Sequence, residues 1–153
     1  MFWQAALAFL ILPGMIAFVV PLFLIAPAGP GPFWMVGLFP LGLGIVLLLW
    51  CVRDFYVVGK GTLAPWAPPQ ELVVVGLYRV SRNPMYVAIM LVLWGWAVGF
   101  RSKPLALYAV AVTIAFHLRV VLAEEPWLAR THGDRYAQYK GRVPRWLGPV
   151  GDS

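Results

Sequence analysis

Apolar residues fill the first third of the chain, and no Asp, Glu, Lys, Arg or His occurs in residues 1–52. A hydrocarbon core about 30 Å thick needs roughly 20 consecutive apolar residues for a helix to cross it. The pattern therefore predicts two membrane-spanning helices, Phe2 to Ala26 and Phe33 to about Val52. We expect a kink at Pro13-Gly14 in the first and a Pro/Gly-rich connector over 26–32 between them.

Two further apolar stretches follow a long polar loop. Pro84 to Phe100 has 17 residues, which is the lower limit for a crossing. Leu105 to about Ala123 is the fourth stretch, and it carries His117 and Arg119 in its last third. The pattern predicts an all-α, multi-pass integral membrane protein with about four transmembrane helices. From Glu124 the chain is polar and basic, which predicts a helical tail at the membrane surface.

Composition excludes an ordinary soluble domain. The 153 residues are 61% hydrophobic and 12% charged, and the mean hydropathy is +0.79. Soluble domains are about 45–50% apolar and about 25% charged. A net charge of +6 would indicate nucleic-acid binding in a soluble protein. In a membrane protein, basic cytosolic loops explain that charge, so nucleic acid is not an expected partner.

The basic residues are distributed unevenly between the loops. Four lie in the loop 53–83 and six in the part of the chain from Arg119 onwards, which leaves two of the 12 between the third and fourth spans. Basic residues are enriched in cytosolic loops, so both termini, the long loop and the tail are predicted to lie in the cytosol, with the chain in the cell (inner) membrane. We treat 1–153 as one domain, with an N-terminal helical hairpin over 1–58 and a core over 59–153.

The first group of candidate site residues lies where the third span begins. Asn83 followed by Pro84 is typical of an N-cap and the first residue of a helix. Arg82 precedes the free amides of the first turn and Tyr86 lies within it, which predicts a positive pocket suited to a carboxylate or phosphate. The alternative is an interfacial belt, because Arg and Tyr commonly lie at membrane boundaries.

The second group lies at the end of the fourth span. Ionisable residues near membrane depth are functional candidates, and His117, Arg119, Glu124 and Glu125 gather there. On a regular helix His117 and Glu124 share one face, and Glu125 lies on the neighbouring one. The alternatives are a snorkelling Arg119, a hydrogen-bonded His117 in the bundle, and glutamates that cap a helix after Pro126.

The third group is in the tail, where Asp134 can begin a short helix after a glycine. Tyr136 and Tyr139 then lie on one face and can form aromatic walls for a planar ligand. The alternative is an amphipathic tail anchored on lipid headgroups by Trp127 and Trp146.

The sequence lacks the motifs that are typical of metal sites and of other nucleotide-binding folds. The two histidines are far apart and Cys51 is the one cysteine, so we expect neither a metal centre nor an internal disulfide. The sequence has no G-x-G-x-x-G after a strand and no Walker spacing, so a nucleotide-like cofactor would be bound by helices and loops.

Two sequence blocks resemble the isoprenylcysteine carboxyl methyltransferase family and the related membrane phospholipid methyltransferases. The resemblance covers roughly Gly59 to Pro149. The blocks are Gly76-x-Tyr78-x-x-x-Arg82-x-Pro84-x-Tyr86 and Glu124-Glu125-x-x-Leu128-x-x-x-x-Gly133-x-x-Tyr136-x-x-Tyr139-x-x-x-Val143-Pro144. The resemblance implies a membrane enzyme that transfers a methyl group from S-adenosylmethionine to a lipophilic small molecule or lipid. Asn83 stands where the family more often has histidine.

The resemblance and the residue chemistry together predict the site. The candidate catalytic residues are Arg82, Glu124 and Arg119. The candidate cofactor-binding residues are Tyr78, Asn83, Pro84, Tyr86, His117, Glu124, Glu125, Tyr136 and Tyr139. A carboxylate or phosphate acceptor needs a cation, for which Arg82 and Arg119 are candidates. An amine or thiol acceptor needs a base, for which Glu124 and His117 are candidates.

The sequence is compatible with three chemical classes of methyl acceptor. The first expectation is O-methylation of a carboxylate, as in isoprenylcysteine, and the alternatives are N-methylation of a phospholipid amine and S-methylation of a small thiol. From other classes, a membrane reductase with a nicotinamide cofactor and a small transporter or assembly factor are the competing interpretations. Transporters usually show paired, interrupted helices in related halves, and the sequence has no such pairing.

Overall fold

The structure, a computed structural model, describes residues 10–25, 29, 31–32, 34–58, 71–148 and 150. Within these ranges the regular secondary structure is entirely helical, which confirms the all-α prediction there. The start of the first span, most of the Pro/Gly-rich connector and residues 59–70 of the long loop lie outside the described residues.

Five helices, one 3₁₀ turn and one π-helical turn follow one another along the described chain. In order they are α1 (π-helical over Leu10–Val19, then α-helical over Val20–Ile25), α2 (Trp34–Val57), the 3₁₀ turn (Gly76–Arg79), α3 (Pro84–Phe100), α4 (Lys103–Arg119), a π-helical turn (Val120–Glu124) and α5 (Glu125–Arg142). Helix α3 begins and ends where the sequence predicts. Helix α2 continues one turn past its predicted end, because apolar and aromatic residues follow Arg53-Asp54 and Asp54 is buried.

Two helical stretches are long and apolar enough to cross a membrane. They are Trp34–Val57 and Lys103–Arg142, whereas Pro13–Ile25 and Pro84–Phe100 are apolar but shorter. By length, the described residues therefore support two of the four predicted spans. Large apolar side chains such as Phe39 lie exposed on the outer face of the bundle, as contact with lipid tails would allow.

The tail helix follows α4 without a separate start. Helices α4 and α5 are joined directly by the π-helical turn, so the predicted helix start after Pro126 is wrong. Glu124 occupies the position before α5 but makes no side-chain cap bond, because other residues engage its carboxylate. Gly133, with φ 49° and ψ −124°, interrupts the helical conformation inside α5, which confirms a break just before Asp134.

Helices α2 and α3 pack closely because glycines face each other. A Cβ atom on Gly37 would lie 2.5 Å from the Gly95 carbonyl oxygen and 2.6 Å from the Gly99 backbone. A Cβ atom on Gly95 would lie 2.6 Å from the backbone nitrogen of Leu41. Small residues let helix backbones approach closely in this way, which is common between membrane helices. The close packing fixes α2 against α3, whose first turn carries part of the candidate site.

The glycine packing predicts a contrast between two substitutions in one helix. Gly37→Ala should destabilise the protein by about 1–3 kcal/mol, because the new methyl group meets backbone atoms that have no room to move. Gly42→Ala is the matched control, since a Cβ atom there has nothing within 4 Å. Alanine should stabilise that helical position by up to about 1 kcal/mol. Thermal unfolding in detergent micelles measures both, and equal unfolding temperatures would contradict the packing argument.

The basic loop and tail lie at one end of the bundle. The backbone N–H of Arg82, before α3, donates to the carbonyl of Pro144, after α5, at 2.9 Å. At the opposite end, the backbone N–H of Gly31, before α2, donates to the carbonyl of Gly99, near the end of α3, at 3.1 Å. The candidate site residues therefore gather at the end that carries most of the positive charge.

Candidate active site

Arg82 holds the start of α3 against α5 and the residues that follow it. Its Nη1 donates to Glu125 Oε1 at 2.9 Å and to the Tyr136 hydroxyl at 3.0 Å. Its Nε donates to the carbonyl of Val143 at 3.0 Å, and the side chain is only 9% exposed. A guanidinium presents several donors in a fixed, planar arrangement, which suits it to bridge three acceptors at once.

Glu125 accepts from a second arginine that sequence reasoning missed. Arg145 donates from Nε at 2.6 Å and from Nη2 at 3.0 Å to the two carboxylate oxygens, and Lys140 lies at 4.0 Å. Burial alone raises the pKa of Glu125, but the Arg145 hydrogen bond and the charges of Arg82, Arg145 and Lys140 bring the net pKa below its usual value. We call Arg82, Glu125, Tyr136 and Arg145 the buried clamp.

A second polar group lies beside the clamp and reaches the surface. Arg119 Nε donates to Glu124 Oε1 at 2.7 Å and to the Tyr86 hydroxyl at 3.2 Å, and that hydroxyl donates to the same carboxylate oxygen. The Tyr86 ring packs on Phe116 with ring centroids 4.4 Å apart. Glu124 is 29% exposed and Arg119 is 51% exposed, so a ligand can reach both signs of charge. We call Tyr86, Arg119 and Glu124 the surface triad.

The π-helical turn Val120–Glu124 separates two glutamates that are adjacent in sequence. Adjacent helical residues point in directions about 100° apart, so Glu124 lies in the surface triad and Glu125 in the buried clamp. A regular helix predicts that His117 and Glu124 share one face, but the described contacts pair His117 with Trp146, at a ring-centroid distance of 6.2 Å. Of the four residues predicted as one group, Arg119 and Glu124 bond to each other, while Glu125 and His117 make separate contacts at the same end of the bundle.

The start of α3 is partly as predicted. Pro84 is the first residue of the helix and Asn83 occupies the N-cap position, but the Asn83 side chain makes no cap bond. Its Nδ2 donates instead to the carbonyl of Arg145 at 3.0 Å, and its backbone N–H donates to Ser81 Oγ at 3.1 Å. The prediction that Asn83 caps α3 through its side chain is therefore wrong, because the carbonyl of Arg145 lies within its reach.

Three of the tyrosines predicted to bind the cofactor are buried in packing contacts: Tyr78, Tyr136 and Tyr139. The Tyr139 hydroxyl donates to the carbonyl of Tyr78 at 2.7 Å, and Tyr78 packs on Phe55 with ring centroids 5.4 Å apart. Burial raises the pKa of Tyr78 well above its usual value. Tyr136 and Tyr139 are buried, so a planar ligand would reach their rings only if α5 moved outward. Their role as cofactor walls stays a prediction.

A family model described as phospholipid methyltransferase matches residues 33–135, about two thirds of the chain. The chain belongs to the phospholipid methyltransferase family. An uncharacterized protein of Haemophilus influenzae is 29% identical to it over 63 residues, which are 41% of this chain and the whole of that relative. No solved structure matches the chain.

Membership of the phospholipid methyltransferase family confirms the resemblance found in the sequence and indicates a membrane methyltransferase. The matched range differs from the predicted one, because it begins at residue 33 and so includes α2. It ends at residue 135, before Tyr136, Tyr139 and Arg145. Sequence reasoning named Trp146 only as a lipid anchor and missed Arg145, although Arg145 directly follows the Val143-Pro144 pair that carries part of the resemblance.

Proposed function

We propose that this protein is an integral membrane methyltransferase that uses S-adenosylmethionine and acts on a lipophilic acceptor. The observation that carries the proposal is the surface triad, which places an accessible carboxylate and an accessible guanidinium where an apolar helix meets a polar tail. Membership of a methyltransferase family supports the same chemistry.

The chemistry of the surface triad fits the proposed cofactor. S-adenosylmethionine supplies a methyl group on a positively charged sulfur and carries a carboxylate, an ammonium group, ribose hydroxyls and an adenine. Arg119 would hold the carboxylate, and Glu124 would hold the ammonium group or the ribose hydroxyls. The exposed His117 beside Trp146 offers flat aromatic surface to the adenine. The buried clamp is less suited to direct contact, because Glu125 already pairs with two arginines.

Methyl transfer needs alignment of the acceptor more than covalent help from the protein. For an amine or thiol acceptor, Glu124 would take the proton that is lost on methylation. A carboxylate acceptor loses no proton on methylation, so it needs no base. The description of the family as phospholipid methyltransferase favours the headgroup amine of a phospholipid, and a carboxylate of the isoprenylcysteine type is the alternative.

The proposal includes four membrane spans with the site in the cytosol. The clustering of the basic loop and tail at one end of the bundle supports this orientation, because cytosolic segments carry most Lys and Arg residues. The two shorter apolar helices, Pro13–Ile25 and Pro84–Phe100, would be the remaining spans.

Calorimetry on purified protein in detergent tests the proposed cofactor. We expect S-adenosylmethionine to bind with a dissociation constant of roughly 1 μM to 1 mM, the range of typical Michaelis constants. Binding should weaken in Arg119→Gln, because the carboxylate loses its cation. Glu71→Gln, which removes an exposed carboxylate from the preceding loop, is the control and should bind as the wild type does. Absence of binding at about 1 mM would contradict the proposal.

A further inference from the structure

The residues directly after α5 are tied to the start of α3 by hydrogen bonds from several directions. We call Val143–Trp146 the tail strap. The Arg82 backbone N–H donates to Pro144 at 2.9 Å, as described above. The carbonyl of Arg145 accepts from Asn83 Nδ2 at 3.0 Å and from Ser81 Oγ at 3.4 Å. Three consecutive residues before α3 therefore bond to this short segment.

Arg145 joins the tail strap to α5 as well as to the start of α3. Its carbonyl faces the loop before α3, while its guanidinium makes two hydrogen bonds to Glu125. The pair also raises the pKa of Arg145, because the charged guanidinium is the form that donates to Glu125. One residue thus bonds both to Glu125, 20 positions before it, and to Asn83, 62 positions before it.

The next residue carries the effect of this anchoring into the proposed site. Trp146 packs against the core cluster that contains Tyr86, Phe116 and Val120, and its ring neighbours His117. Tyr86 belongs to the surface triad. Trp146 therefore lies next to His117, which we propose as aromatic surface for the cofactor, and it directly follows Arg145 in the chain.

We infer that Arg145 is a positioning residue of the methyl-transfer site and that Trp146 is the wall it holds in place. This inference rests on the proposed function. Arg145 does not touch the surface triad. It acts by fixing Glu125, which is the chain neighbour of Glu124 across the end of the π-helical turn, and by holding Trp146 beside His117. Sites of this kind lose rate when their supporting contacts loosen, because small misplacements of reacting groups are costly.

The experiment compares Arg145→Gln and Arg145→Lys with the wild type in the full-length protein. The rate of methyl incorporation from labelled S-adenosylmethionine into a membrane lipid extract gives an apparent kcat and a KM for the methyl donor. We expect the apparent kcat of Arg145→Gln to fall about 10–100-fold, with a smaller change in KM. Arg145→Lys keeps the charge but loses the pair of hydrogen bonds to the two oxygens of Glu125, so its kcat should be intermediate.

Two further variants separate positioning from a general loss of stability. Arg142→Gln removes an exposed arginine from the end of α5 and should retain the wild-type kcat. Gly37→Ala, the destabilised variant described above, should also retain that kcat at temperatures where it is folded.

Trp146→Ala should lower kcat, and Trp146→Phe should restore most of it by keeping an aromatic wall.

Amide hydrogen exchange gives a readout that needs no activity. In Arg145→Gln we expect faster exchange of the Arg82 amide, which bonds to Pro144, while amides within α3 stay protected. Faster exchange with an unchanged kcat would overturn the inference, because the strap would then be structural only. Unchanged exchange and kcat would also overturn it. A wild-type protein that neither binds the methyl donor nor transfers a methyl group would overturn the proposed function and this inference together.

Discussion

Glu124→Gln is expected to lower the rate of methyl transfer by about 10²–10⁴-fold, the usual contribution of a positioned proton acceptor. Glutamine keeps the size of the side chain and one acceptor oxygen, so it can still bond to Arg119 and Tyr86. It loses the negative charge that would take a proton from the acceptor or hold the ammonium group of the cofactor. Mass spectrometry of membrane extracts supplied with a labelled methyl donor measures the change.

The folded state should tolerate this substitution, because Glu124 is part exposed and Arg119 is half exposed. We therefore expect the unfolding temperature of Glu124→Gln to stay close to that of the wild type. Glu71→Gln is the matched control for loss of one carboxylate, since Glu71 is 50% exposed and pairs loosely with Arg135 at 3.7 Å. Full activity in Glu124→Gln would remove Glu124 from the site.

Glu125→Gln is expected to act mainly on stability, with a loss of about 3–5 kcal/mol in the free energy of unfolding. The buried guanidinium of Arg82 would lose its counter-charge at 2.9 Å while it stays out of water. Chemical denaturation in detergent micelles measures this loss. Glu71→Gln again serves as the control, because an exposed pair contributes about 0–1 kcal/mol. A loss in Glu125→Gln no larger than in the control would contradict the clamp.

The pH dependence of stability separates Glu125 from other carboxylates. Its pKa in the folded protein lies below its usual value of 4.5, so the unfolded chain takes up the proton first as the pH falls. The stabilisation by the clamp is therefore complete above about pH 4.5 and is lost as the pH falls through the lowered pKa. Wild-type protein should lose this part of its stability in acid, and Glu125→Gln should lack that part of the pH dependence.

The sequence predicted the elements best where local signals are strong. Helix α3 has proline at its first position and a Ser-Lys-Pro sequence after its end, and its bounds agree with the prediction. The end of α2 was predicted too early. Arg53-Asp54 resembles the edge of a span, but Asp54 is buried and the helix continues to Val57. Burial of a charged residue depends on tertiary neighbours, and a hydropathy pattern does not contain them.

The candidate site was predicted as a set of residues but not as an arrangement. Arg82 was expected to act on the substrate, yet it pairs with Glu125, 43 positions away, and with the carbonyl of Val143, 61 positions away. Contacts at such separations leave no periodic signal in one sequence. The π-helical turn Val120–Glu124 leaves no such signal in the sequence either. For this reason Arg82→Ala would disrupt folding and is a poor test of catalysis.

Helix α1 is attached to the rest of the bundle through its main chain as well as through its side chains. The Trp96 indole N–H donates to the main-chain carbonyl of Ala17 at 3.0 Å, and the Tyr108 hydroxyl donates to that of Ile16 at 3.2 Å. Both acceptors belong to the backbone, so they remain when the side chain of Ile16 is changed, whereas a larger side chain at the fully buried Ala17 would overpack the core. The hydrogen-bond donors that hold α1 are Trp96 and Tyr108. Both lie inside the range matched by the family, while α1 lies before that range. Helix α1 is thus held by two side chains of the family-matched range through main-chain carbonyls, which a change of side chain in α1 does not itself remove.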